Sequence, residues 1–374
     1  MSRYTRTLHR LLWAGCIVLF LAGAANADTA QASETVYLFT SFRSDGDGLH
    51  LAVSDDGYRW TQIDGAFLTP TVGSRLMRDP HVLQAPDGLF HMVWTTGWND
   101  KGIGYASSRD LVNWSDQRYL PLMEQTPGTR NCWAPETFYD AARREYLITW
   151  SSDVEGRFPQ TVSADRMNNR TYYVTTKDFE TFSPPALLFD PGFDHIDATL
   201  IRDKDTYVLI VKEGDMQGKG VWGPIHVATA ADPHGPYTLL EKPAFVARAE
   251  GPTVAKIGDD YLMYIDYYTR GRYGALRTTD WQNWTDVSDQ VATGRGQRHG
   301  TASRFRAPSP TGSRPRRRRC PRRRCCRAIT PTRTSRSSAT PTTSIRPPTA
   351  AKAGPPRRSV ACRPRTSCTG AITA

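Results

Sequence analysis

The chain has 374 residues, with 48 Lys and Arg against 37 Asp and Glu, a formal net charge of +11 and a mean hydropathy of −0.52; that length accommodates one large β domain or two ordinary ones. Most of the excess charge is local: residues 303–374 hold eighteen arginines and one lysine with no Asp or Glu, so residues 28–302 carry 26 basic and 37 acidic groups, a net charge of about −11. An acidic main domain argues against a nucleic-acid binder despite the basic overall pI, and its single cysteine, Cys132, excludes a domain stapled by internal disulfides.

Taken in order, residues 1–27 place Arg3, Arg6 and Arg10 ahead of the apolar run LLWAGCIVLFLA and end on Ala25-Asn26-Ala27. That order predicts a signal peptide cleaved near Ala27 and an exported protein, periplasmic or extracellular. The run is too short for an ordinary transmembrane anchor. From residue 34 the chain reads as strands, with no comparably long helical pattern. A short phrase of small residue, Asp, bend and aromatic recurs as VSDDGYRW, SSRDLVNW, TTKDFETF, TAADPHGPY and RTTDWQNW, ending at Trp60, Trp114, Phe182, Tyr237 and Trp284. Each phrase puts Asp at a turn, where its side chain can bond the backbone two residues on. Ahead of the phrases lie β-like runs such as LFHMVWTT, EYLITWSS, TYVLIVKE and YLMYIDYY.

Each repeat then holds four strands, and four-stranded units repeated radially are propeller blades. The expectation is an all-β, five-bladed propeller over residues 34–302. The first repeat lacks an entrance strand, since VYLFTSF begins it directly, and RHGTA near residue 300 has no repeat of its own. Pairing the two would close the ring. Residues 303–374, rich in Arg, Pro, Ser and Thr, lack the apolar content to pack and are expected to be a disordered basic tail. Two readings of that segment stand side by side: translation out of frame after about Ala302, or a genuine arm for anionic surfaces.

The entrances to the repeats carry the chemistry. MRDPHVL, WAPETF, IDATLI, EGPTVA and RHGTA set Asp79, Ala134, Asp197, Glu250 and His299 at equivalent positions to within a residue. Because the first strand of each blade lines the central channel, three carboxylates and an imidazole are expected to converge on one pocket. Glycoside hydrolysis needs one carboxylic acid to protonate the leaving oxygen and one carboxylate to activate water or attack carbon. A third acid beside the proton donor raises its pKa.

The succession RDP, WAPE, IDAT, EGPT and RHGT resembles the glycoside hydrolase family 43 propellers, the arabinanase, arabinofuranosidase and β-xylosidase group, over about residues 34–302. The resemblance implies an exported, inverting glycosidase acting on α-L-arabinofuranosides or β-xylosides of plant-type oligo- or polysaccharides. It implies Asp79 as general base, Glu250 as general acid and Asp197 as the residue that tunes and orients the acid. It matches His299 to a histidine that in some members faces a water-bound central metal ion, often calcium; the chemistry itself requires no cofactor. Trp98 and Trp133 are candidate apolar faces for a sugar and Arg272 a candidate hydroxyl ligand, each set against an ordinary packing or solvated role. The alternatives are a retaining or phosphorolytic relative and a carbohydrate-binding propeller without catalysis.

Overall fold

A computed structural model describes residues 35–162, 167–214, 223–245 and 248–306, all within one compact unit. The expected signal peptide and the basic segment beyond residue 306 lie outside the described residues. Among the described residues there is no α-helix, only two 3₁₀ turns, Pro159–Thr161 and Ser288–Gln290, and no helix is long and apolar enough to cross a membrane.

The strands form five four-stranded antiparallel sheets. The first contains β1 (Thr35–Ser41), β2 (His50–Ser54) and β3 (Thr61–Ile63). The second runs β4 (Arg78–Gln84), β5 (Phe90–Thr95), β6 (Ile103–Ser108) and β7 (Arg118–Leu120). The third runs β8 (Trp133–Asp140), β9 (Glu145–Asp153), β10 (Asn169–Thr176) and β11 (Ala186–Phe189). The fourth is β12 (His195–Asp203), β13 (Thr206–Glu213), β14 (Ile225–Ala230) and β15 (Thr238–Leu239). The fifth is β16 (Glu250–Ile257), β17 (Asp260–Tyr267), β18 (Arg272–Thr278) and β19 (Thr285–Asp286). Finally β20 (Ala302–Arg306) pairs with β1 as the innermost strand of the first sheet, from Phe39↔Ala302 to Thr35↔Arg306. The ring is a five-bladed propeller closed by its two ends. That last strand runs four residues past the boundary at 302, and Phe305 is buried edge-on against Phe90, their centroids 5.9 Å apart.

The core is a set of wedges between blades. One cluster joins Leu38, Leu51 and Phe305 of the first blade to Met92 and Trp94 of the second. Another joins Val93 and Ile103 to Ile148 and Trp150. The remaining three fill the junctions of the third with the fourth blade, the fourth with the fifth, and the fifth with the first. Each blade is thus covered on both faces. That explains why TYVLIVKE and YLMYIDYY read as almost unbroken apolar runs instead of alternating ones.

The repeated Asp phrases are turns. Oδ1 of Asp56, Asp110, Asp178 and Asp280 each accepts two backbone N–H groups of the bend that follows. The aromatic that ends a phrase folds back on it, as where Trp60 Nε1 donates to the Gly57 carbonyl. These residues build blades and take no part in the cleft.

Candidate active site

Four of the innermost strands begin with the same irregularity. Register shifts fall between Arg78 and His81, Trp133 and Glu136, Ile196 and Thr199, and Glu250 and Thr253. The bulged residue has a left-handed backbone: Asp79 at φ 53°, Ala134 at 46°, Asp197 at 55° and Gly251 at 57°. β-Bulges re-aim side chains at sheet ends. Here they fix the alignment: Gly251, one residue past Glu250, shares the position of Asp79 and Asp197, while Glu250 shares that of Arg78 and Trp133.

The expected cluster assembles. His299 Nδ1 lies 3.1 Å from Asp79 Oδ1 and 3.8 Å from Asp197 Oδ2. The Thr95 hydroxyl donates to Asp79 Oδ2 at 2.8 Å and accepts the Ala134 N–H at 2.8 Å, tying the strand of Asp79 to the neighbouring entrance. Asp197 Oδ2 accepts the Gly251 N–H at 3.0 Å, so it holds the backbone beside Glu250. Arg298 Nη2 donates to Glu250 Oε1 at 3.1 Å, and Arg298 Nε donates to Asp266 Oδ2 at 3.0 Å. A small cleft opens over the group, walled by Asp79, Asp197, Glu250, His299 and Thr95 and rimmed by Arg78, Trp98 and Trp133.

Burial then drives the carboxyls apart. It pushes Asp79 upward, but the bonded His299, with Arg78 and Thr95 behind it, outweighs burial and holds that carboxyl below its usual value. Burial and, next, the charge of Asp197 push Glu250 up to about 7. Asp197 is itself raised by burial, which His299 offsets only in part and Asp79 reinforces. Burial disfavours the imidazolium of His299, yet Asp197 and Asp79 outweigh it and raise that group to about 10. Near neutrality the cleft therefore pairs an ionised carboxylate with a carboxyl able to keep its proton, the division of labour that acid–base hydrolysis uses.

The candidate ligands divide. Trp98, 49% exposed, and Trp133 meet edge to face with centroids 6.0 Å apart, and Trp133 Nε1 donates to the Trp98 carbonyl at 2.9 Å. Arg78 lies 4.7 Å from the centroids of both Phe42 and Trp98 and donates to Asp45 at 3.0 Å, bracing the rim. Arg272 does not line the cleft. It stands on β18, two strands out from the axis, exposed and 3.9 Å from Asp289. Sequence reasoning passed over Arg78, Arg298 and Asp266. The signal for the first two was present, because Arg78 and Arg298 occupy in RDP and RHGT the place that Glu250 holds in EGP.

A hard cation such as calcium takes six to eight oxygen ligands. His299 offers nitrogen, its described partners are the site's own carboxylates, and among the described residues no group of three His, Cys, Asp or Glu side chains is arranged to hold a metal. These residues do not fit a directly bound metal.

Residues 33–305 match a glycosyl hydrolase family 43-related model described as "Probable glycosyl hydrolase domain". An alpha-L-arabinofuranosidase of Bifidobacterium longum subsp. longum is 26% identical over 278 residues, covering 62% of this chain and 26% of that protein. The chain thus spans about a quarter of the length of that curated relative. A thermostable family-43 glycoside hydrolase superposes over 56% of this chain and 71% of its own, at 21% identity and a TM-score of 0.44. An alpha-L-arabinofuranosidase from Lactobacillus brevis does so over 56% and 72%, at 18% identity and 0.43. With the matched region running from the first strand to the one that closes the ring, this chain belongs to the glycosyl hydrolase family 43-related group.

Proposed function

We propose that the protein is an exported glycosidase that cleaves α-L-arabinofuranosyl or, second, β-xylosyl bonds of plant-type saccharides with inversion. The observation that carries the reading is the convergence of Asp79, Asp197 and Glu250 on one cleft around His299, where His299 holds the Asp79 carboxyl down while burial and the Asp197 charge push Glu250 up. In this reading Asp79 takes a proton from water as the water's oxygen attacks the anomeric carbon. Glu250 gives its proton to the leaving oxygen on the opposite side of the sugar. Asp197 keeps Glu250 protonated through its charge and in place through the Gly251 N–H. Trp98 and Trp133 supply the apolar rim for a sugar ring.

Inversion and the choice of sugar rest on the family resemblance. Export rests on the arginines and apolar run of residues 1–27. No cofactor takes part in these steps.

Asp79→Asn and Glu250→Gln test the assignment on 4-nitrophenyl α-L-arabinofuranoside, β-xyloside and an arabinan oligosaccharide. Both variants are expected to stay folded; Asp79→Asn should lose activity by about 10²-fold or more on every substrate, and Glu250→Gln by as much on the arabinan oligosaccharide, whose leaving oxygen needs a proton. Full activity of either on the oligosaccharide removes that residue from the mechanism. Proton NMR of the first-formed anomer reads inversion directly.

A further inference from the structure

Glu250 has a second anchor besides Asp197. Asp266, fully buried on β17, is the register partner of Glu250 across the β16–β17 pair. Its Oδ2 accepts both Arg298 Nε and the His299 N–H, each at 3.0 Å, and its Oδ1 has no partner among the described residues. Arg298 is fixed from the other side as well. Its backbone N–H donates to the Phe42 carbonyl at 2.9 Å, and its guanidinium sits 5.7 Å from the Phe42 ring centroid. The guanidinium is thus held between the first and fifth blades and aims its remaining fork at Glu250 Oε1, 3.1 Å away.

A guanidinium has donors only and no acceptor. An oxygen that receives its N–H therefore presents a lone pair and does not itself carry the acid's proton toward it. We propose that Arg298, anchored by Asp266, is a positioning residue that confines the catalytic proton of Glu250 to Oε2. This rests on the reading of Glu250 as general acid. It explains why the position holds arginine: a lysine is a point charge that cannot span Asp266 and Glu250 with a rigid fork.

Leaving-group dependence tests the assignment, because a misplaced acid costs rate only where the departing oxygen needs a proton. The probes are 4-nitrophenyl and methyl glycosides of whichever sugar the wild-type protein accepts. Glu250→Ala is expected to be nearly active on the nitrophenyl glycoside and strongly impaired on the methyl one. Arg298→Ala is expected to show the same asymmetry at about 10- to 100-fold, the scale of a misplaced catalytic group. Added guanidinium at millimolar concentration should recover part of the loss, and Arg298→Lys should fall between. Arg298→Ala leaves Asp266 buried without its cation, so the double variant Arg298→Ala/Asp266→Asn is measured beside it to keep the fold intact. Equal losses of Arg298→Ala and the double variant on both glycosides, with no recovery, overturn the proposal while leaving Glu250 as acid. If Glu250→Ala itself shows no asymmetry, the acid assignment fails and the proposal falls with it.

Discussion

At Glu250 two opposing influences meet: burial and the Asp197 charge favour the neutral carboxyl, while His299 and Arg298 favour the ionised one, and the balance stands at about 7. A general acid works only while protonated, so kcat/KM is expected to fall as pH rises through about 7. It falls also on the acid side, where Asp79 becomes protonated below the ordinary carboxylate value. Removing the charge of Asp197 removes a cause that raises Glu250. The Asp197→Asn variant should therefore lose activity at a lower pH on the alkaline side than the wild type. A pH–rate profile of both proteins checks the sign; an alkaline limb that moves upward in the variant contradicts the electrostatic role. At this scale RDP, IDAT and EGP were legible because each acid stands next to a strand-initiating signal. Asp266 was not, since inside YLMYIDYY it reads as one polar residue in a core strand.

At the scale of the element, the bulge decides which way an entrance side chain points. Asp79 and Asp197 tolerate the left-handed backbone because a short polar side chain can. Gly251 has a stricter reason. A Cβ built there would stand 2.5 Å from Cγ and Cδ2 of His299, with φ at +57°. Gly251→Ala is expected to cost about 1–3 kcal/mol through overpacking against the imidazole. It should also depress kcat, because the ring it displaces pairs with Asp79. Urea denaturation and steady-state kinetics of the variant measure the two effects; a neutral outcome in both would mean that the imidazole has room to move. The repeats announced four strands per unit and the position of each turn. They did not reveal the bulges, because a one-residue insertion leaves no mark in hydrophobic alternation when the strand is buried on both faces.

At the scale of the molecule, closure and chemistry share one segment. His299 lines the cleft, and Arg298 bonds Glu250 beside it, directly ahead of β20, the strand that completes the first blade. Phe305 fastens that strand between blades, against Phe90. Phe305→Ala is expected to lose about 3 kcal/mol of stability, toward the lower end for a buried phenylalanine. Its kcat at low temperature should stay within about twofold, since the ring touches no cleft residue. An unchanged denaturation midpoint would show that β1 and β20 hold without the ring. Glu250→Gln serves as the mirror control, with lost activity and kept stability.

The amino-acid sequence determined the number of blades, the strands within each, the closing of the ring by its ends and the identity of the acids at the entrances. These follow from patterns repeated along the chain and from residues adjacent in it. Only the tertiary structure decided which carboxyl keeps its proton, that Arg298 reaches across 48 positions to Glu250 and that Arg272 lies away from the axis. Protonation depends on burial and on charges a few ångströms away. Those distances are set when separate blades pack around one axis, and local sequence does not contain them.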